Sequence, residues 1–348
     1  MLNLIPLALI LVSLFQVKIL TKRGEFHRDY LSREQSSAIK GILAIVILLH
    51  HLGQEVMETG GNAPLLLLFA HIGGVLPVAM FFFYSGYGLQ KKYMTSPHYE
   101  KGFLQKRVPT VLLPYLIVTL LCWGQSWLLG DPYSVRDVVG GFYDGFPIVR
   151  FSWFILELIF FYFVFYLLMK ICRKHFSAML PGALVYLVLW NLVCRRAYLP
   201  AFWYSYTHTL IIGMAWAIFE GPIEKAVHRL GWPGILTMLF VFLLAASVSH
   251  FGGSSFNEIL VVLFLFAVIP VLTKVRFYNP VLKFLGSISY EIYLLQGFFL
   301  TALRNDVFYL ESNFLFCLFA LGLTLFFGWI AHLLFGMLLK GYRKLFKI

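Results

Sequence analysis

Charge is scarce in this chain. Only 13% of its 348 residues are Asp, Glu, Lys or Arg, about half the share usual in soluble domains. That shortage, set against the abundant apolar residues, excludes a soluble enzyme and a disordered chain. Cysteine is scarce as well. Cys122, Cys172, Cys194 and Cys317 fall in separate apolar runs without metal-type spacing, which argues against a disulfide framework and against zinc. No stretches alternate apolar and polar residues over about ten positions, as the strands of an outer-membrane barrel would. No Ser/Gly-rich linker, large loop or short-period repeat divides the chain. Its first residues, Met1 to Leu20, have neither a basic leader nor a small-residue cleavage site. They are therefore expected to be a retained transmembrane helix and not a signal peptide.

Hydrophobicity is what the chain has in quantity, at 60% of residues. The apolar runs continue for about 17–25 residues, the length of helices that cross a bilayer. The predicted fold class is all-α: a polytopic helical membrane protein, multi-pass in the plasma membrane, with about eleven spans. Their expected limits are roughly 2–20, 37–53, 64–89, 103–130, 151–170, 179–194, 201–219, 232–250, 257–273, 284–303 and 313–340. The 36 Phe, 19 Tyr and 8 Trp suit interfacial belts and lipid-facing bulk and are no sign of nucleobase stacking.

The net charge of +12 follows from topology. With the N-terminus outside and the C-terminus inside, all 28 basic residues except Arg136, Arg150, Arg195, Arg196 and Arg304 fall at or near the cytoplasmic side, as the positive-inside rule requires. No nucleic-acid partner is therefore expected. The domains expected are an N-terminal helix with its cytoplasmic linker (1–35) and a membrane domain (36–348).

Within the second span, Lys40 lies at the cytoplasmic end and His51 toward the outer end. Eleven residues turn an α-helix by about 1100°, which leaves an offset of about 20°, so the two share a face about 16 Å apart. His50 stands about 80° off that line. A basic group at the cytosolic mouth and an imidazole deep in the membrane suit a long, phosphate-bearing donor. Lys40 would hold phosphate as a point charge, and His51 would exchange a proton or carry an acyl group. Coenzyme A has this shape, with phosphates at one end and a thioester at the other. Read without that function, Lys40 snorkels to headgroups and the histidines are interfacial, although an ionisable residue within a span is by default a functional candidate.

Lys40-x10-His51 resembles the Arg-x10-His signature of the acyltransferase-3 membrane acyltransferases. Four further segments follow in that family's order. Met80-Phe-Phe-Phe-Tyr-Ser-Gly-Tyr-Gly-Leu89 is similar to its Phe-Phe-x-x-Ser-Gly-Phe segment, and Phe103-Leu-Gln-Lys-Arg-Val-Pro-Thr-Val-Leu-Leu-Pro-Tyr115 to its basic inner loop leading to Pro-Tyr. Ser152-Trp-Phe-Ile-Leu156 resembles a Trp-Phe-Leu span start, and Lys283 to Gln296 resembles Leu-Gly-x-Ile-Ser-Tyr-x-Ile-Tyr-Leu-x-His. The resemblance covers roughly residues 36 to 340. It implies ten core helices, with the first helix additional, and cytosolic acyl-CoA as donor, acetyl-CoA above all. It further implies transfer to a hydroxyl of a cell-envelope glycan or lipid-linked sugar outside the cytoplasm. The departures are Lys40 for arginine, Thr110 where a second basic residue follows Arg107, and Gln296 for the last histidine. With no esterase-like domain after the last span, onward transfer by such a domain would need a separate protein.

The expected catalytic residues are His51, as general base or acyl carrier, and Glu157, a carboxylate about six residues into its span that would orient or activate an imidazole. Lys40, Arg107, Lys106, Ser85 and Tyr290 are the expected donor-binding residues. Each has a plainer alternative: positive-inside charge for Lys106 and Arg107, close helix approach around Ser85, Gly86 and Gly88, packing for Tyr290 and Tyr293, and a structural ion pair or hydrogen bond for Glu157. Ser85 lacks the elbow of a nucleophilic serine. Glu258 and Glu291 lie nearer span ends. His71, His208 and His250 match no metal spacing, so no metal is expected and hydrogen-bonded cavity lining is. Pro77, Pro109 and Pro114 could break or kink their helices. Membrane lipids are expected partners, and homo-oligomers are compatible with the sequence. The rival class is a transporter or exporter of a glycan or lipid-linked precursor, for which inverted repeats with paired broken helices would speak; none is evident.

Overall fold

The computed structural model describes residues 1–22, 24–248, 254–277 and 279–347, so His250 lies outside the described residues. The chain is almost entirely helical. In order it forms α1 (Leu4–Leu14), β1 (Val17–Ile19), α2 (Arg33–Glu58), α3 (Pro64–Ile72), α4 (Val75–Thr95), α5 (Phe103–Leu128), α6 (Val135–Tyr143) and α7 (Trp153–Cys172). There follow α8 (Met179–Arg196), α9 (His208–Ile218), α10 (Glu220–Val248), α11 (Ser254–Leu272), β2 (Val275–Phe277), α12 (Pro280–Ser287), α13 (Ser289–Leu303) and α14 (Asn313–Leu345).

Six of these helices are long and apolar enough to cross a membrane: α2, α5, α7, α10, α14, and α8 taken with the 3-10 turn before it. They correspond to six of the eleven expected segments. The expected 64–89 segment is a bent pair, α3 and α4, meeting at 49° where Gly73 and Gly74 follow one another. The other four segments are realised as shorter helices. The 2–20 segment ends early because Gln16 takes a positive φ of 57° and the chain turns into β1, which pairs antiparallel with β2 (Lys18 opposite Arg276). This two-stranded ribbon is the only departure from all-helical secondary structure among the described residues, apart from a single bridge between Arg304 and Tyr309.

α2 is the axis of the bundle. Ser32 caps it by accepting a hydrogen bond from the Gln35 backbone N–H, and Glu34 in its first turn complements the helix dipole. It packs against α1, α3, α4, α12, α13 and α14, and 72% of its most apolar stretch is buried inside the protein. Such burial needs small residues, because lipid tails are as apolar as leucine and helix association relies on close contact. Gly41 and Gly286 provide it between α2 and α12: a Cβ on either would overlap the backbone carbonyl of Leu282 or of Ser37. Gly86 on α4 and Gly213 on α9 meet Leu210 and Phe83 in the same way. Gly86 thus serves helix approach, whereas a Cβ at Gly88, half a turn on, would meet open space.

Proline breaks helices unevenly here. α5 runs through Pro109 and Pro114 without interruption. Thr110, beside the first of them, turns its hydroxyl back to the Lys106 carbonyl at 2.6 Å. α10 is broken at Gly231, whose φ of 56° and ψ of −162° lie outside the helical region, two residues before Pro233.

Replacing Gly86 by Ala should overpack the α4–α9 contact and destabilise the protein by about 1–3 kcal/mol, whereas Gly88→Ala should leave stability unchanged. Thermal unfolding midpoints of the two variants in detergent check this; equal midpoints would contradict the packing described.

Candidate active site

The face of α2 that carries Lys40 and His51 borders two cavities. One, of about 650 Å³, is lined by His51, Gln54, Arg150, Phe151, Trp153 and Tyr293 among others. The second, of about 740 Å³, lies at the other end of the helix around Lys40.

His51 is buried in the wall of the first cavity. Its Nδ1 stands 3.0 Å from the side-chain oxygen of Gln54, one helical turn on. An amide oxygen only accepts, so Nδ1 carries the proton and Nε2 keeps a free lone pair. The ring lies flat on Phe151, with centroids 3.5 Å apart and planes 13° from parallel. Phe151 is held for this task. Its φ of 69° is in the left-handed region, which costs a non-glycine residue about 1–3 kcal/mol and persists only where the surroundings enforce it. Here the Tyr293 hydroxyl of α13 donates to the Phe151 carbonyl, and the Arg150 guanidinium sits 4.9 Å from the ring centre. Arg150 is itself paired with Glu55 at 3.1 Å.

His50 also borders this cavity, although the helix-face geometry sets it apart from Lys40. It is anchored differently: its Nδ1 donates to the Phe69 carbonyl of α3 at 3.1 Å. The two rings meet edge to face with centroids 4.8 Å apart. The adjacent histidines are therefore inequivalent, as expected, yet neighbours in one site.

The second cavity brings together Lys40, Ser85 and Arg107, and adds Arg33, Lys92, Tyr84 and Tyr162. Four basic side chains line it and no carboxylate does. The Lys40 ammonium lies 5.6 Å from the centre of the Tyr84 ring, and Arg107 donates to the Tyr99 hydroxyl at 2.8 Å. Ser85 faces the space, but its hydroxyl donates to the Phe81 carbonyl one turn back, at 2.8 Å. This ties up the proton that a nucleophile would surrender.

The remaining expected residues lie elsewhere. Lys106 is exposed and lines neither cavity. Tyr290 donates to the Val111 carbonyl at 2.7 Å and also lines neither, which fits the packing alternative. Glu157 is fully buried between α7 and the start of α9, where its Oε1 accepts from the Thr207 hydroxyl; the structure does not bring it to His51. Gln296 is buried on α13, its Nε2 donating to the Tyr293 carbonyl one turn back at 3.3 Å. Glu291 pairs with His332 of α14 at 3.0 Å. His71 and His208 line neither cavity, and among the described residues no three His, Cys, Asp or Glu side chains are grouped to hold a metal.

Gln54, Arg150, Phe151 and Tyr293 complete the His51 site. Gln54 was accessible to helix geometry, since it lies three residues from His51. Arg150 and Phe151 directly precede the Ser152-Trp153 motif, and that motif meets the Pro114-Tyr115 motif where the Ser152 hydroxyl approaches the Tyr115 hydroxyl at 3.4 Å.

One family profile, acyltransferase-3, described as an acyltransferase domain, matches residues 35–333 and so contains every residue named at the two cavities except Arg33. Neither the curated proteins nor the solved structures include a match to the chain.

Tyr293→Phe should leave the Phe151 carbonyl without its donor and cost about 1–3 kcal/mol. A lower thermal midpoint in the solubilised protein is the expected result; an unchanged one would mean that this bond does not hold the loop.

Proposed function

The chain belongs to the acyltransferase-3 family, an acyltransferase with several membrane-spanning helices, and from that premise we propose that it is an O-acetyltransferase of the plasma membrane. It takes acetyl-CoA from the cytosol and acetylates a hydroxyl of a cell-envelope glycan or lipid-linked sugar outside. The observation that carries this is the pairing of two unlike cavities along one face of α2: a basic one at Lys40, and one with a free imidazole nitrogen at His51.

The phosphates of the donor sit against Lys40 and Arg107, with Arg33 and Lys92 from the same wall. Without a carboxylate in the lining, nothing there competes for the four basic groups. Arginine can grip a phosphate through two parallel N–H bonds, whereas Lys40 contributes a compact point charge. Lys106, being exposed, adds at most long-range attraction. The pantetheine arm runs along α2, and the eleven-residue interval of about 16 Å brings the thioester toward His51.

Chemistry at His51 uses the Nε2 lone pair in either of two ways. As general base, Nε2 takes the proton of the acceptor hydroxyl as its oxygen attacks the thioester carbonyl. The carbon–sulfur bond breaks, and the thiolate of coenzyme A recovers the proton. As acyl carrier, Nε2 attacks the thioester carbonyl and expels the thiolate of coenzyme A; the acceptor oxygen then attacks the acetyl group on His51, the carbon–nitrogen bond breaks to restore neutral imidazole, and the hydroxyl proton passes to the thiolate. The Gln54 bond fixes the tautomer that both routes need. An acetyl group trapped on His51 in the absence of acceptor distinguishes them.

His51→Ala in purified protein reconstituted in lipid should lower acetyl transfer at least about 100-fold, and His50→Ala should be milder. Equal losses would contradict the distinct roles given to the two rings. Lys40→Gln and Arg107→Gln should raise KM for acetyl-CoA with a smaller change in kcat; a purely kcat effect would argue against phosphate binding.

A further inference from the structure

Four aromatic side chains form a row along the wall of the His51 cavity. Phe146, in the loop between α6 and α7, stands at the rim and is 67% exposed. Its ring centre lies 6.1 Å from that of Phe202, and Phe202 lies 5.6 Å from Trp153 at the start of α7. Trp153 is in turn 6.4 Å from Tyr206, which is only 6% exposed. The row thus runs from an exposed rim into the interior, within the cavity that His51 lines. The chemistry at His51 uses none of these rings.

Hydrogen bonds between chain neighbours of these residues fix the row at both ends. Trp203, next to Phe202, donates from Nε1 to the carbonyl of Gly145, next to Phe146, at 2.9 Å. Gly145 has a φ of 80°, and a Cβ there would stand 2.5 Å from Cδ of Pro200. Only glycine suits so close a contact in that conformation. At the inner end Glu157, one turn after Trp153 on α7, accepts from the hydroxyl of Thr207, next to Tyr206. Rings held in place beforehand cost less to order when a ligand arrives.

We propose that this row is the acceptor track: it holds a glycan chain by the faces of consecutive sugar rings and leads a hydroxyl to His51. The proposal rests on the O-acetyltransferase function given above. The C–H groups on a pyranose face carry slight positive charge and meet the negative face of an aromatic ring. Each step of the row is close to the width of one sugar ring, which suits a linear oligosaccharide better than a single sugar. The competing occupant of an apolar cavity beside His51 is a long acyl chain of the donor. Polar groups in the same wall favour the sugar. The Tyr206 hydroxyl and the Asn257 side-chain amide have no hydrogen-bond partner among the described residues, and both residues line the cavity. An alkyl chain would cover them unpaired, at a cost, whereas sugar hydroxyls both donate to and accept from them.

The test is saturation-transfer NMR on the full-length protein in lipid nanodiscs, with cellotetraose and maltotetraose as probes. Both are uncharged, so their binding reports on ring faces and hydroxyls. Calorimetric titration of coenzyme A and its thioesters in the same preparation reports separately on the donor site. At least one sugar should bind, with saturation strongest on its ring C–H protons. Phe146→Ala, at the exposed rim, and Phe202→Leu should each weaken that binding several-fold and leave coenzyme A binding unchanged. Octanoyl-CoA should gain no affinity over acetyl-CoA that Phe202→Leu removes. Absence of binding by both sugars, sugar binding that either variant leaves intact, or an octanoyl advantage abolished by Phe202→Leu would overturn the proposal. Failure of the wild-type protein to bind coenzyme A would instead count against the acetyltransferase function.

Discussion

The depth at which α2 is buried governs the rest of the structure. A helix carrying both a lysine and a histidine on one face is expensive to leave against lipid, so it must be enclosed on most sides. Gly41 and Gly286 permit that enclosure by letting α12 lie backbone to backbone against α2. Once α2 is fixed at the centre, the interval between Lys40 and His51 is fixed too, because a helix is nearly inextensible. The separation of the Lys40 charge from the His51 imidazole is then a property of one rigid element and does not depend on how loops settle.

Loops finish the site that the helix begins. Phe151 adopts a backbone conformation that its own sequence does not favour, and contacts from Tyr293 and Arg150 hold it there. Its ring covers one face of His51, and Gln54 takes up one of the two ring nitrogens. What remains is the other ring nitrogen of a histidine that lines the cavity. Local strain offset by neighbouring contacts is a common way of presenting a reactive group in one orientation, and here the contacts come from elements far apart in the chain.

The sequence makes the periodic part of this legible. Lys40, His51 and their shared face follow from helical geometry, and Arg107 and Ser85 do line the cavity at Lys40. Charge asymmetry and apolar runs locate eleven segments, but run length alone does not show that 64–89 bends at Gly73-Gly74 or that Gln16 ends α1 before β1. Glu157 illustrates the other gap. A carboxylate within a span needs a partner, and only the fold shows that Oε1 finds one in Thr207, fifty residues on, while Oε2 is buried without one among the described residues. Tyr290 is similarly engaged by Val111, and Lys106 simply faces outward. Arg150, which lines the His51 cavity, has no periodic signature because it sits in a loop.

The central claim is that one face of α2 carries donor phosphates at Lys40 and the reacting end of the donor at His51. An electron cryo-microscopy structure of the protein in nanodiscs with coenzyme A tests it most directly. The account predicts phosphate density against Lys40 and Arg107, and the thiol within about 3–3.5 Å of His51 Nε2. Coenzyme A bound with its phosphates away from Lys40, or with its thiol outside the His51 cavity, would contradict it.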